Sequence, residues 1–159
     1  MGTSPPRDRG RAYAVFRPRR GAWVAWVCAL ASVLVFGGLA ILSPTSGDVG
    51  WAAPDRLMTA ALGVGIAVLL VKFATLRAVP SAEGLRVVNL VGRHDLSWAS
   101  IVTVGFHDGG PWAVVELADT EQVAVMAIQR ADGARARREA SRLAALVSHH
   151  SSTAGPSPS

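Results

Sequence analysis

Residues 21–42 read GAWVAWVCALASVLVFGGLAIL and contain no charged side chain. As an α-helix this stretch would be about 33 Å long, which matches a bilayer hydrocarbon core of about 30 Å. Trp23 and Trp26 stand near its first end, where the amphipathic indole ring favours the membrane interface. The stretch therefore predicts a transmembrane helix over residues 21–42.

A second apolar stretch, residues 57–76, reads LMTAALGVGIAVLLVKFATL and carries a single charge, Lys72, near its end. A lysine there can extend to the headgroups, and Trp51 precedes the stretch as another interface anchor. We therefore predict a hairpin of two spans, with a buried core helix as the alternative for the second stretch. Gly63 and Ala67 form a small-xxx-small pair, which favours close helix packing, either between the two spans or in a dimer.

The charges around the two stretches predict their orientation. The formal net charge is +5, and residues 1–20 alone hold six arginines against one aspartate. Arg17, Arg19 and Arg20 lie closest to the first span, whereas the connection 43–56 has two acidic residues and one arginine. The positive-inside rule then predicts a two-span protein of the cell membrane with an extracytoplasmic loop at 43–56 and both termini in the cytoplasm. Residues 1–20 are predicted to be a disordered basic arm.

From residue 77 the pattern changes to short runs rich in valine and isoleucine, separated by turn residues. The runs are Leu85–Leu90, Arg93–Trp98, Ile101–His107, Trp112–Ala118 and Gln122–Ile128, with Arg77–Val79 as a further short strand. Their spacing predicts an antiparallel meander of five to six strands. In the third long run, strict alternation would place Val102, Val104 and Phe106 on one face.

A helical period follows the strands. The apolar side chains of one helix face are Ala136, Ala140, Leu143, Ala144 and Val147. Asp132 precedes them as a candidate N-cap. We predict an amphipathic helix that covers an open end of the sheet, with a helix lying on the membrane as the alternative. Residues 77–147 thus form a predicted β domain closed by a helix, and the serine-rich residues 148–159 a predicted disordered tail.

Three segments of this domain resemble a known family. Gly84–Asn89 (GLRVVN), Leu96–Ile101 (LSWASI) and Ala127–Gln129 before a helix are similar to the bacterial PH-like domain of the actinobacterial low-molecular-weight protein antigen 6 PH domain-containing proteins. The resemblance covers about residues 51–147. It implies an α+β membrane protein with a PH-type fold, namely a bent antiparallel sheet or partial barrel with its C-terminal helix at one end. It implies no enzymatic activity.

The basic residues of the predicted domain bear on its ligands. PH domains that bind phosphoinositides gather several cations near their first hairpin, and that region here offers only Arg86, Arg93 and His94. The sequence therefore does not support phosphoinositide binding. Since the basic excess lies in the N-terminal arm rather than in the domain, no nucleic-acid partner is expected either.

Few side chains form a pattern that indicates catalysis or metal binding. His94-Asp95 and His107-Asp108 would form a metal cluster only if the strands brought them together, and turn or surface roles are the more ordinary use of such residues. The sequence has no P-loop, G-x-G-x-x-G or G-x-S-x-G motif. We therefore predict no catalytic residue, metal or cofactor.

These observations predict a non-catalytic PH-like module that is anchored by two spans, faces the cytoplasm, and binds an unidentified protein partner or self-associates. Trp98, Ile101 and Leu143 are predicted to lie in its core. Two alternatives stay open. The β domain could be a five-stranded OB barrel in a scaffold, although that fold places its helix between the third and fourth strands. A membrane enzyme acting on lipid or envelope precursors would need paired carboxylates or a metal site, and the sequence shows neither pattern.

Overall fold

The structure is a computed structural model that describes residues 12–44, 50–107 and 109–153 of the 159-residue chain. The chain divides into two compact units. One is Gly21–Thr75, and the other combines the described residues of Met1–Arg20 and Leu76–Ser159. The second unit is therefore discontinuous in sequence, with the first unit inserted into it.

The inserted unit consists of two long apolar helices, α1 (Arg20–Leu42) and α2 (Ala53–Ala74). Both are long and apolar enough to cross a membrane, judged by length and composition. Large apolar side chains point outward along them; Trp23 is 70% exposed and Leu42 83% exposed. Within α2, Gly63 is the sole buried residue. The alternative of a buried core helix for the second apolar stretch was therefore wrong.

The two helices approach closely at Gly63. The hydroxyl of Ser32 on α1 donates to the Gly63 carbonyl oxygen at 3.1 Å. A side chain at Gly63 would collide with Phe36, whereas the same position at Gly65 is open. Gly63 thus serves packing between the two helices of one chain, which is one of the two uses predicted for its small-xxx-small pair.

The second unit contains six strands and the helix α3. Their bounds are β1 (Arg77–Pro80), β2 (Gly84–Val88), β3 (Arg93–Ser97), β4 (Ile101–Gly105), β5 (Trp112–Leu117), β6 (Gln122–Gln129) and α3 (Ala134–Thr153). The prediction of five to six antiparallel strands followed by a helix is confirmed. Instead of one bent sheet, the strands form two three-stranded meanders, β1-β2-β3 and β4-β5-β6. These sheets are not closed into a barrel.

The side chain of Asn89 links the two sheets. Asn89 follows β2, and its amide nitrogen donates to the Ala124 carbonyl oxygen of β6 at 2.8 Å. Its amide oxygen accepts from the Met126 N–H at 3.4 Å. One asparagine therefore satisfies two backbone groups at the edge of β6, as a neighbouring strand would.

Helix α3 covers the core between the sheets. Its buried residues are Ala136, Ala140, Leu143, Leu146 and Val147. Four of these belong to the predicted apolar stripe, while the fifth predicted position, Ala144, is half-buried. Since these buried residues belong to the core cluster of the unit, the alternative of a helix lying on the membrane was wrong.

Three local predictions were also wrong. Val104 and Phe106 pack against the core, but Val102 does not share their face and is 64% exposed, because a β-bulge between Ile101 and Thr103 interrupts the alternation along β4. Asp132 is not the N-cap of α3, since the helix begins at Ala134. The predicted disordered tail is helical over residues 148–153, which complete α3. Residues 154–159 of that tail lie outside the described residues.

Residues 12–20, here called the N-terminal segment, belong to the second unit. The prediction that they are disordered was wrong. Phe16 is 1% exposed and bridges Ala78 on β1 through backbone hydrogen bonds of 2.9 and 3.1 Å. The Arg142 guanidinium of α3 lies over the Phe16 ring, 3.9 Å from its centroid. Residues 1–11 of the predicted arm lie outside the described residues.

Candidate functional site

Trp98 lies in the core, where it connects several elements. The side chain is 4% exposed and belongs to the same buried cluster as Ile101 and Leu143. Its indole N–H donates to the Ser81 carbonyl oxygen at 2.9 Å. The indole also stacks on the His150 ring of α3, with the centroids 4.9 Å apart and the planes 2° from parallel. Because the indole N–H and this ring face already contact Ser81 and His150 of the same chain, Trp98 is not available to stack on a ligand.

A groove of about 690 Å³, here called the outer groove, lies on the first sheet. Residues of β1, β2, β3 and the β1–β2 turn line it, among them Val79, Ser81, Glu83, Arg86, Asp95 and Leu96. The register pairs Val79 with Arg86, and Arg86 with Asp95, so these three residues form a row across the sheet. Antiparallel pairing of three consecutive strands thus brings distant residues together on one surface.

The β1–β2 turn connects the outer groove to the core. The Ser81 hydroxyl accepts from the Gly84 N–H at 3.2 Å, and the Ser81 N–H donates to the Gly84 carbonyl oxygen at 2.8 Å. A side chain at Gly84 would collide with the carbonyl oxygen of Leu96, so glycine permits the close approach of β2 and β3 here. Since Ser81 also accepts from Trp98, the groove wall is held by the buried indole.

The outer groove carries both signs of charge. Arg86 Nε lies 2.5 Å from Asp95 Oδ1, and Arg93 Nε lies 3.8 Å from Asp95 Oδ2. The hydrogen bond from Arg86 lowers the pKa of Asp95. The hydrogen bond with the Ser81 side chain lowers the pKa of Glu83. Both acids are therefore ionised at neutral pH. The groove thus presents negatively and positively charged side chains to a ligand.

A second cavity, of about 410 Å³ and here called the arginine cavity, is lined by Arg19, Arg20, Arg135 and Arg138, with Asp132 and the backbone at the start of α3. The N–H groups of Arg19 and Arg20 donate to the Asp132 carboxylate oxygens at 3.4 and 3.3 Å. The carboxylate predicted to cap α3 thus binds the N-terminal segment instead. Sequence reasoning missed this cavity because its arginines come from opposite ends of the chain.

Comparison with known proteins gives the relationship of the chain. The family model for the bacterial PH domain matches residues 75–145. Uncharacterized proteins of Mycobacterium bovis and of two strains of Mycobacterium tuberculosis are 36% identical over 136 residues, which cover 84% of this chain and 86% of each relative. This chain belongs to the bacterial PH domain family.

The similarity extends beyond the PH domain. An alignment of 136 residues is longer than the stretch from residue 75 to the end of the chain, so it includes much of the region of α1 and α2. The relatives therefore share the apolar-helix region together with the PH domain. No solved structure matches the chain significantly.

The PH domain assignment agrees with the order of elements and excludes the OB alternative. An OB barrel would place its helix between the third and fourth strands. Here that position holds only the 3-10 turn Trp98–Ser100, and α3 follows β6. The helix after the last strand is what the predicted PH-type fold requires.

The histidines considered as metal ligands lie in different parts of the PH domain. His94 is on β3 of the first sheet, whereas His107 follows β4 of the second sheet. His107 Nε2 instead lies 3.1 Å from Glu116 Oε1 on β5. Asp108 lies outside the described residues. Among residues 12–44, 50–107 and 109–153, no group of three or more His, Cys, Asp or Glu is arranged to hold a metal ion.

The residues predicted to set the membrane position lie at the ends of α1 and α2. Trp23 and Trp26 are exposed in the early turns of α1, and Trp51 precedes α2. Lys72 is exposed in the last turn of α2. The remaining predicted residues, Arg17, Arg19 and Arg20, are exposed immediately before or at the start of α1.

Proposed function

We propose that the chain is a two-span membrane protein that presents a non-catalytic PH domain to the cytoplasm for contact with a protein partner. The observation that carries this proposal is the combination, within one chain, of a bacterial PH domain and two exposed apolar helices. PH-type domains are binding modules, and the helices provide the means of holding such a module at a membrane.

The exposed surface of α1 and α2 supports the membrane anchor. Large aliphatic and aromatic side chains are exposed along nearly the full length of both helices. Such a contiguous apolar surface is unfavourable in water and favourable in a hydrocarbon environment. Internal hydrogen bonds satisfy the backbone groups of a helix, as a spanning segment requires.

The distribution of arginines supports the cytoplasmic orientation. Arg17 and Arg19 precede α1, Arg20 is its first residue, and Arg77 follows α2, so both helix ends that connect to the PH domain carry basic residues. An excess of arginine and lysine next to spans favours the cytoplasmic side.

Mixed charge and partly apolar walls support a protein partner at the outer groove. Glu83, Arg86 and Asp95 offer both donors and acceptors, while Val79 and Leu96 contribute apolar surface. This composition suits a polypeptide surface, which also carries both signs of charge, better than a phosphate-rich headgroup, which requires clustered cations. A second copy of the chain is the competing occupant.

Cysteine accessibility tests the orientation. The chain has one cysteine, Cys28, so replacing it with serine gives a background without cysteine. Ala52→Cys before α2 should react with an impermeant maleimide in intact cells, whereas Ala118→Cys in the PH domain should react only after permeabilisation. Both sites are exposed in the structure, so unequal labelling reports sidedness. The reverse pattern would overturn the orientation.

Photocrosslinking tests the partner. A photoreactive residue at Val79, in the outer groove, should yield one discrete protein adduct in native membranes. The same residue at Gln122, exposed at the start of β6, is the matched control. Equal adducts at both positions, or lipid adducts alone at Val79, would contradict a protein contact there. An adduct of twice the chain mass would assign the groove to self-association.

Elemental analysis tests the sequence-based prediction that the chain holds no metal. The purified full chain should hold no stoichiometric metal after dialysis without chelator. One tightly held Zn²⁺ per chain would contradict the prediction of no metal, and a zinc site with an open coordination position would also contradict the non-catalytic proposal, because such a site can activate water.

A further inference from the structure

We propose that the arginine cavity binds the phosphate of an anionic phospholipid headgroup. The cavity is formed where the N-terminal segment meets the beginning of α3, away from the outer groove on the first sheet. Its size, about 410 Å³, suits one phosphodiester with its glycerol rather than an extended ligand. This inference deepens the proposed function, and it relies on α1 spanning the membrane.

The charge of the arginine cavity is strongly unbalanced. Four arginines line it, and among the described residues that line it Asp132 alone is acidic. The Asp132 oxygens already accept backbone N–H groups from Arg19 and Arg20. Four arginines against one aspartate give the residues that line the cavity a net charge of +3. Guanidinium groups bind phosphate oxygens with paired, charge-assisted hydrogen bonds, which makes phosphate the matching ligand.

The nearby carboxylate of Glu139 is shared between Arg135 of the cavity and Arg142, which does not line the cavity. Glu139 Oε2 bonds Arg142 Nη2 at 2.6 Å, whereas Glu139 Oε1 is 3.8 Å from Arg135 Nη2. The shorter contact holds the carboxylate on the side of Arg142. Arg138 is exposed, and its side chain is free to turn toward a ligand.

Position along the chain favours a lipid as the source of the phosphate. Arg20 is the first residue of α1, and the uncharged apolar stretch begins at residue 21. If α1 spans the bilayer, Arg19 and Arg20 lie at the level of the headgroups. The cytoplasmic leaflet is rich in anionic lipid, and basic groups beside a span are attracted to it. A free phosphate would need no such position.

The arrangement differs from an inositol-phosphate site. Phosphoinositide recognition was not supported at the first hairpin, where the outer groove carries mixed charge. The arginine cavity instead combines residues from the two ends of the chain. The proposed ligand is therefore a single phosphodiester at the membrane surface rather than an inositol phosphate.

Native mass spectrometry of the full chain in detergent tests the inference. The chain is titrated separately with dimyristoyl phosphatidylglycerol and dimyristoyl phosphatidylcholine, and the retained lipids are counted. Wild type should retain one phosphatidylglycerol in preference to phosphatidylcholine. The variant Arg135→Gln/Arg138→Gln should bind phosphatidylglycerol about 25-fold more weakly, since each arginine near an anionic group contributes about fivefold. Its affinity for phosphatidylcholine should be unchanged.

The matched control is Arg93→Gln/Arg137→Gln. It removes the same charge from exposed positions outside the arginine cavity, one of them adjacent to Arg138 on α3. This variant should retain the wild-type lipid preference. Equal losses in both variants would indicate diffuse attraction between charges and would overturn the proposed site. If the double variant melts below wild type in neutral detergent, the single variant Arg138→Gln replaces it, with an expected loss of about fivefold.

Inorganic phosphate distinguishes the two sources of the ligand. Titrated alone, it should leave the melting temperature of wild type unchanged, whereas phosphatidylglycerol should raise it. A rise with inorganic phosphate that disappears in Arg135→Gln/Arg138→Gln would overturn the headgroup assignment in favour of a soluble phosphate. Carbonate extraction of native membranes separates this inference from the proposed function. A chain that resists extraction but shows no arginine-dependent lipid preference refutes the cavity alone, whereas an extractable chain refutes the anchor.

Discussion

The two units of the molecule use apolar side chains in opposite ways. In α1 and α2 the large apolar residues point outward, and Trp23 is 70% exposed. In the PH domain they point inward, so that Leu143 and Trp98 are 0% and 4% exposed. Large apolar residues are thus exposed in one unit and buried in the other. The PH domain covers its own apolar side chains, whereas the apolar side chains of the two helices are left uncovered within the chain, as the proposed membrane anchor requires.

The largest expected effect is at Leu143. Leu143→Asp would place a carboxylate in the core cluster beneath α3, where it is neither solvated nor paired. The cost of about 5 kcal/mol or more is comparable to the whole stability of a small domain, so the PH domain should unfold. Protease resistance of the full chain in detergent measures this. Ala145→Asp, which adds the same charge on the exposed side of α3, should remain folded.

Two tryptophans give the most direct test of the comparison. Trp98→Ala removes a buried indole, its stacking on His150 and its hydrogen bond to Ser81, and should lower the free energy of unfolding of the PH domain by about 3–5 kcal/mol. Trp23→Ala removes the same side chain from the exposed surface of α1 and should leave that free energy unchanged. Urea unfolding followed by a single reporter in the PH domain measures both. Equal effects would break the comparison.

A smaller effect is expected where the N-terminal segment meets the end of α3. The Tyr13 hydroxyl lies 2.7 Å from His150 Nε2, so Tyr13→Phe removes one partly buried hydrogen bond and little volume. The free energy of unfolding should fall by about 0.5–1.5 kcal/mol. The measurement is the urea midpoint of the full chain. An unchanged midpoint would show that residues 12–20 contribute no stability to the PH domain at this contact.

The smallest effect is a pH dependence at the outer groove. Because Arg86 lowers the pKa of Asp95 in the folded state, the stabilisation by this carboxylate is present above its unfolded pKa of about 3.9. It is lost as the pH falls through the lower folded pKa. In Arg86→Gln the pKa of Asp95 should rise, as measured by NMR titration of its carboxyl carbon. Arg137→Gln, with the same loss of charge, should leave that pKa unchanged.

Much of the fold was predictable because helices and strands leave regular patterns of apolar residues in the sequence. The uncharged stretch at 21–42 and the alternating residues of Gln122–Gln129 specify a long helix and a strand without knowledge of the rest of the chain. The resemblance to the bacterial PH domain is confirmed by the family match over residues 75–145. The stripe through Leu143 likewise identified the covered face of α3.

The structural features that the sequence did not predict depend on single residues rather than on a periodic pattern of apolar residues. Phe16 is one aromatic residue in an arginine-rich segment, so nothing local indicates that it is buried against Ala78. The bulge that exposes Val102 cannot be recognised from the alternation of residues along the sequence of β4. The helix over 148–153 reads as serine and histidine, and it is supported by tertiary contacts such as that between His150 and Trp98. Such contacts override weak local propensity.

The candidate sites were less predictable than the fold. The outer groove requires the register that pairs Arg86 with Asp95, and the arginine cavity requires Arg19 and Arg138 to meet. Neither register nor long-range contact is encoded by spacing alone. The prediction of a core role for Trp98 depended only on its position between two strands, and the structure places it there.

The bridge between Phe16 and Ala78 has a consequence for the order of folding. The β1 edge is completed by a residue synthesised before both apolar helices, while α3, which covers the same core, is synthesised last. The PH domain therefore cannot be completed until α1 and α2 have been made. Because α1 and α2 run antiparallel, they bring the chain back toward residue 20. This shortens the loop that the bridge between Phe16 and Ala78 must close, and it lowers the entropic cost of closing that loop. Formation of the α1–α2 hairpin and folding of the PH domain are thereby coupled, and a defect that prevents the hairpin from forming should leave an aggregation-prone domain with one sheet edge unprotected.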